Sequence, residues 1–90
     1  MEKDLPKSQY IKLLIRMMDG DKKYFPFQLR ELTKMDHTRL YSARRVAQDY
    51  GLIRQEHLSG RLYLYTLTEK GKKYREKLIL DGLLADMVET

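Results

Sequence analysis

The sequence predicts an α+β domain: three short helices, a two-stranded hairpin and a longer closing helix. Three observations predict it. Apolar residues recur at helical spacing in successive stretches before Gly51. Arg54–His57 and Leu62–Leu67 read as strands around the turn Leu58-Ser59-Gly60-Arg61. Thr68-Glu69-Lys70-Gly71 then opens a last helix, with Thr68 as its cap and Glu69 where a negative charge suits the helix dipole.

Asp4 or Ser8 suits the cap of a first helix reaching about Met18. Its apolar stripe is Tyr10, Ile11, Leu14, Ile15 and Met18, with Lys12 and Arg16 opposite. Asp19-Gly20-Asp21 is a stop and turn. It is no calcium loop, because Lys23 and Arg30 stand where later oxygen ligands are needed. Tyr24-Phe25 reads as a short extended piece, and Pro26 suits the first turn of a second helix, where its missing N–H costs nothing. That helix, about Phe27 to Lys34, is expected to bury Leu29, Leu32 and Phe27 and to leave Arg30, Glu31 and Lys34 in water. Met35 and Asp36 make the next turn.

Asp36 is a good N-cap for a third helix, His37 to Tyr50. At 100° per residue, Leu40, Ala43, Val46, Ala47 and Tyr50 share one face. Thr38, Tyr41, Arg45 and Gln48 lie opposite, flanked by Ser42 and Arg44, while Arg39 falls near the core edge, where Glu31 or another acid would pair with it. Gly51 stands where a left-handed residue ends a helix, and Leu52-Ile53 return to the core. The strand Leu62-Tyr63-Leu64-Tyr65 alternates poorly, so both of its faces are expected to be covered, one by the core and one by a partner subunit. Core packing is the expected role of Tyr63 and Tyr65. The last helix is expected to run to about Val88.

Ninety residues make one domain, 1–90, with a core small enough that self-association is a common remedy. There is no cysteine, hence no disulfide framework or thiolate zinc site. His37 and His57 are too isolated for a metal cluster or a catalytic pair; His37 reads as a helix-start residue and His57 as a strand residue. No glycine loop for phosphate and no carboxylate pair at useful spacing is present, so no enzyme, no metal and no cofactor is expected. Met1-Glu2-Lys3-Asp4 leads into no long apolar run, so neither a signal peptide nor a membrane span is expected, and the default location is the cytoplasm. The net charge is +5, which favours a polyanionic partner. Residues 37–77 carry ten Lys/Arg against four Asp/Glu, whereas residues 78–90 carry three acids and no base.

Helix, glycine stop, basic hairpin and capped helix, in that order, describe a winged helix-turn-helix. The residues resemble the winged-helix transcription regulators of bacteria and archaea, close to the MarR-like and PadR-like groups. The matching elements are Tyr50-Gly51-Leu52-Ile53, the basic hairpin tip and Leu67-Thr68-Glu69-Lys70-Gly71. The size is similar to short regulators of archaea and their viruses and plasmids. Two departures stand out: Ala47 occupies a position that is usually leucine in that family, and the chain has no counterpart of the long extra helices with which MarR-like proteins build a dimer and a ligand cleft.

The resemblance implies double-stranded DNA as partner, with the third helix in the major groove. Arg45 and Gln48 would read a guanine and an adenine, whose edges offer acceptors to Arg and a donor–acceptor pair to Gln. Thr38, Tyr41 and Ser42 would make shorter contacts to thymine methyl or phosphate, and Arg44 and Arg39 would reach the DNA backbone or its margin. Ser59, Gly60 and Arg61 look like the family's minor-groove or phosphate finger, and Lys72 is a candidate phosphate contact. The last helix, 69–88, carries a second apolar surface of Leu78, Ile79, Leu80, Leu83, Leu84, Met87 and Val88, which marks an interface. Ile79, Leu80, Leu83, Leu84, Met87 and Val88 are therefore expected to form a homodimer. The operator and any small-molecule effector are left open. The rival roles are a winged helix used for protein–protein contact and a non-specific architectural coat on DNA.

Overall fold

The structure, a computed structural model, describes residues 9–88 and, for side chains, residues 9–82. The elements run α1 (Gln9–Met17), α2 (Pro26–Thr33), α3 (His37–Asp49), β1 (Ile53–Ser59), β2 (Leu62–Leu67) and α4 (Glu69–Val88). The α+β class and the order of elements are those the sequence predicts. The expected caps of α1, Asp4 and Ser8, lie outside the described residues.

Three helices build the core. From α1 come Ile11, Leu14 and Ile15, with Met18 just past its end; α2 gives Leu29, and α3 gives Leu40, Ala43 and Ala47. Leu52, Ile53, Tyr65, Leu67 and Tyr74 close it from the hairpin and α4. Burial of such side chains, each worth about 1.5–3 kcal/mol, is what holds three short helices together. Met35, expected only to turn the chain, is buried as well.

Three expected core positions are corrected. Tyr10 is 44% exposed, and its ring lies under the Arg39 guanidinium at 5.1 Å rather than in the core. Phe27 is 60% exposed and stacks on Phe25, with ring centroids 5.7 Å apart. Leu32 is exposed too. The reason for Leu32 is the angle at which α2 meets the core: Leu29 and Thr33, four residues apart, define its buried stripe, and Leu32 falls to one flank. Thr33 satisfies its buried hydroxyl by donating to the Leu29 carbonyl at 2.7 Å.

The hairpin is antiparallel, with Ile53 opposite Leu67, Gln55 opposite Tyr65 and His57 opposite Tyr63, and its register shifts between His57 and Ser59. Residues 53, 55 and 57 share a face with 63, 65 and 67. At its root that face meets the core through Ile53, Tyr65 and Leu67, with Tyr63 half-buried against it, whereas Gln55 and His57 are exposed. On the other face Leu64 is half-buried and Leu62 exposed. Tyr24 and Tyr65 exchange two backbone hydrogen bonds, of 2.9 and 2.8 Å, so the extended piece before α2 adds a one-residue third strand at the hairpin root.

Where α3, the hairpin and α4 meet, the chain packs backbone against backbone. The Leu52 N–H donates to the Ala47 carbonyl and the Gly51 N–H to that of Gln48, both at 2.9 Å, with Gly51 at φ +74°. Those two bonds are the Schellman closure of a helix. The Leu52 carbonyl then accepts from the Thr68 N–H at 3.0 Å, and the Thr68 hydroxyl donates to the Gly51 carbonyl. As the cap of α4, Thr68 Oγ1 accepts from the Gly71 N–H at 3.1 Å. Gly71 is buried in this junction: a Cβ there would lie 1.9 Å from the Leu52 oxygen.

Candidate nucleic-acid interface

Asp36 starts α3 as its sequence position predicts, its Oδ1 accepting from the Arg39 N–H at 2.7 Å. With Leu40, Ala43 and Ala47 inside, the opposite side of the helix faces water. Thr38, Tyr41, Ser42 and Arg45 are exposed there, and Gln48 is half-buried at the edge towards the hairpin. Arg45 Nη1 donates to the Tyr41 hydroxyl at 3.5 Å, with its guanidinium 5.8 Å from the ring. Arg39 pairs loosely with Asp36, at 3.9 Å, and not with Glu31.

Arg44 is placed differently from the DNA-backbone contact the sequence suggests. It is half-buried, its guanidinium lies 4.6 Å from the centre of the Tyr65 ring, and Nη1 donates to the Tyr65 hydroxyl. Its flank position on the wheel turns it towards β2, where the buried tyrosine offers both a π-face and an acceptor. Arg44 Nε is buried without an acceptor. Burial pushes the Tyr65 phenol above its usual pKa, against the opposing pull of the Arg44 charge. Removing this acceptor by Tyr65→Phe is expected to cost about 1–3 kcal/mol, because a half-buried donor loses its partner. An unchanged urea midpoint would show that Arg44 gains nothing from the hydroxyl.

Two further side-chain contacts tie the hairpin to its surroundings. Gln48 Nε2 donates to Gln55 Oε1 at 3.0 Å, joining α3 to β1. Lys23 pairs with Glu56 at 2.9 Å, and the hydrogen bond and charge of Lys23 together hold the Glu56 carboxyl below its ordinary pKa. At the tip, Gly60 adopts φ +51°, and its carbonyl lies 2.9 Å from His57 Nε2. Ser59, Gly60 and Arg61 are all exposed. The structure thus brings Thr38, Tyr41, Ser42 and Arg45 to one face of α3 and ties its edge, through Gln48, to the hairpin. Lys72 is engaged elsewhere, with Asp21 at 3.3 Å and Glu69 at 3.4 Å, and the hydrogen bonds to these carboxylates raise its pKa.

Sequence reasoning missed Gln55 and the anchoring role of Tyr65. A signal for both was present in the period-two alternation, since Gln55 shares a face with Ile53, and Tyr65 with Leu67. On α4, Ile79 is half-buried and Leu80 is 56% exposed. The side chains of Leu83, Leu84, Met87 and Val88 lie outside the described residues. Among the described residues no group of three or more His, Cys, Asp or Glu could hold a metal ion, and no helix is long and apolar enough to cross a membrane.

These elements, a helix-turn-helix with an antiparallel two-stranded wing and a following helix, define the winged-helix fold. Its solved neighbours are MarR-, PadR- and SlyA-like transcription regulators. BpsR of Bordetella bronchiseptica, whose DNA binding is regulated by 6-hydroxynicotinic acid, superposes with TM-score 0.82 at 13% identity, over 93% of this chain and 67% of its own. A PadR family transcription regulator of Clostridium difficile gives 0.78 at 20% identity, over 88% of this chain and 93% of its own. RosR of H. salinarum gives 0.75 at 23% identity, over 98% and 82%. Of other matched regulators, such as ZitR of Lactococcus lactis and a SlyA-like regulator of Listeria monocytogenes, the chain spans only 55–63%. No family model matches the sequence, and no curated protein does. At these identities the likeness is one of fold.

Proposed function

We propose that the chain is a sequence-specific, double-stranded DNA-binding transcription regulator without enzymatic activity, acting in the cytoplasm as a homodimer. The observation that carries this is the α3 face, where Thr38, Tyr41, Ser42 and Arg45 stand in water beside a wing tipped by Arg61. In the major groove Arg45 would read guanine and Gln48 adenine. Thr38, Tyr41 and Ser42 supply shorter contacts, while Ser59, Gly60 and Arg61 meet the adjacent minor groove or phosphates. Arg39 and Lys72 reach phosphates by exchanging their carboxylate partners for them. Arg44 serves the face from behind, pinned on Tyr65.

Residues 1–90 form one domain in this reading, with 69–88 as the dimerisation helix. Exposed Leu80, followed by further apolar residues, supports that assignment. A two-fold dimer sets two α3 helices roughly 34 Å apart and reads a pseudo-palindrome. Structural neighbours described as transcription regulators support the DNA role.

The test is selection of bound fragments from random duplex DNA, followed by titration of the selected site at rising salt. A shared motif is expected, with affinity falling roughly a hundredfold or more between 50 and 200 mM salt as condensed counterions are released. Salt-sensitive binding without a motif would instead make the chain a non-specific coat, and no DNA binding would make it a protein–protein module. Sedimentation as a monomer at high micromolar concentration would remove the dimer.

A further inference from the structure

Gln48 sits where α3 meets the wing, and one of its Nε2 hydrogens goes to Gln55 Oε1 at 3.0 Å. Gln55 is held in turn by its place on β1 opposite Tyr65, whose side chain is buried and whose backbone pairs with Tyr24. A carboxamide has two N–H donors and one acceptor oxygen. With one donor taken, Gln48 keeps one N–H and its oxygen, the complement of N7 and the N6 amino group of adenine. An unrestrained carboxamide turns by half a revolution about its last bond and presents the same two groups in reverse order. With Gln55 presenting its oxygen, as it does here, the Gln48 nitrogen is drawn towards it and one order is selected.

We propose, on the footing that α3 is the groove-reading helix, that Gln55 is a positioning residue for sequence recognition. It holds the Gln48 carboxamide in the orientation that matches adenine and contributes to specificity without touching a base. In open water such an exposed bond is weak, because solvent replaces it. Against DNA, with water displaced, the same bond decides which donor–acceptor order faces the base. Its effect therefore falls on discrimination between sequences rather than on folding.

The test uses the full chain on the site selected from random duplex DNA and on single-base replacements of that site. Gln48→Ala first locates the base pair whose preference depends on Gln48. Gln55→Ala is then expected to reduce discrimination at that same base pair by about fivefold or more, part of what a bidentate contact supplies, while binding to random DNA stays unchanged. Gln55→Glu, whose carboxylate still accepts from Nε2, should keep the preference while weakening all DNA through its charge. The double variant should discriminate no worse than Gln48→Ala alone. Intact preference at that base pair in Gln55→Ala, or a change at a different one, overturns the positioning role and leaves the α3 assignment standing. If Gln48→Ala alters no position, Gln48 reads no base and the role of Gln55 is overturned with it; if no sequence is selected, the α3 assignment falls as well.

Discussion

Gly71→Ala is expected to destabilise the protein by about 3 kcal/mol or more, at the upper end of what overpacking costs. The added methyl would stand 1.9 Å from the Leu52 oxygen and 2.9 Å from the Leu52 carbonyl carbon. Neither is a flexible side-chain end that swings aside. The Leu52 oxygen accepts from Thr68, the Leu52 N–H closes α3 on Ala47, and the Thr68 hydroxyl serves both Gly51 and Gly71. Relief requires α4 to lift against the two bonds from Thr68 to the Leu52 and Gly51 carbonyls, or Leu52 to withdraw against its bond to Ala47. At about 4–8 °C per kcal/mol for a domain of this size, the thermal midpoint followed by circular dichroism should fall by roughly 12 °C or more. Gly82→Ala is the matched control. It lies in the same helix with nothing among the described residues, beyond the helix itself, within 4 Å of the new methyl, and better helix propensity should raise stability by roughly 0.5–1 kcal/mol. Equal midpoints for the Gly71 variant and the parent would show that the junction is looser than this geometry states.

Arg45→Ala is expected to carry the largest effect on DNA binding. Its residue is exposed on α3, where Nη1 donates to the Tyr41 hydroxyl at 3.5 Å and the guanidinium lies 5.8 Å from that ring. Removing it should cost about 1–3 kcal/mol at the selected site, some 5- to 150-fold in affinity, and blur preference at one base pair. Folding should hardly change, since the residue is exposed and contacts between exposed polar groups contribute little. The neighbouring Arg44→Ala should behave in the opposite way, losing stability through the Tyr65 contact. Titration of the selected site against a one-base variant separates the two. Specific binding that survives Arg45→Ala would refute the assignment of the reading face.

Most of the architecture was legible because its signals are local. Asp36, Gly51 and Thr68 each act within three residues of themselves, as caps or stops, and each does so in the fold. Helical spacing located the stripes of α1 and α3 for the same reason. What failed needed knowledge of how elements meet. The tilt of α2 decides that Thr33 is buried and Leu32 is not, and no spacing within eight residues contains that tilt. The candidate interface divides likewise. An outward Arg45 follows from the wheel alone, whereas Arg44 on Tyr65 joins positions 21 apart in the chain. Gln48 on Gln55 depends on the angle at which the wing leaves α3. The junction around Leu52 was foreshadowed by a motif, but its demand for a bare α-carbon at position 71 is a matter of contact between segments.

The backbone exchange between Tyr24 and Tyr65 has a mechanical outcome. It rivets the base of the wing to the connector leading into α2, and Lys23 on Glu56 and Thr66 on the Lys22 carbonyl fasten the same end. Nearer the tip, Ser59 pairs with Leu62, the His57 ring lies 4.9 Å from that of Tyr63, and His57 Nε2 meets the Gly60 carbonyl. A wing anchored in this way is expected to pivot little at its root and to bend near its extremity, which in the proposed role would let Arg61 follow the width of a groove while Gln55 and Tyr65 stay still.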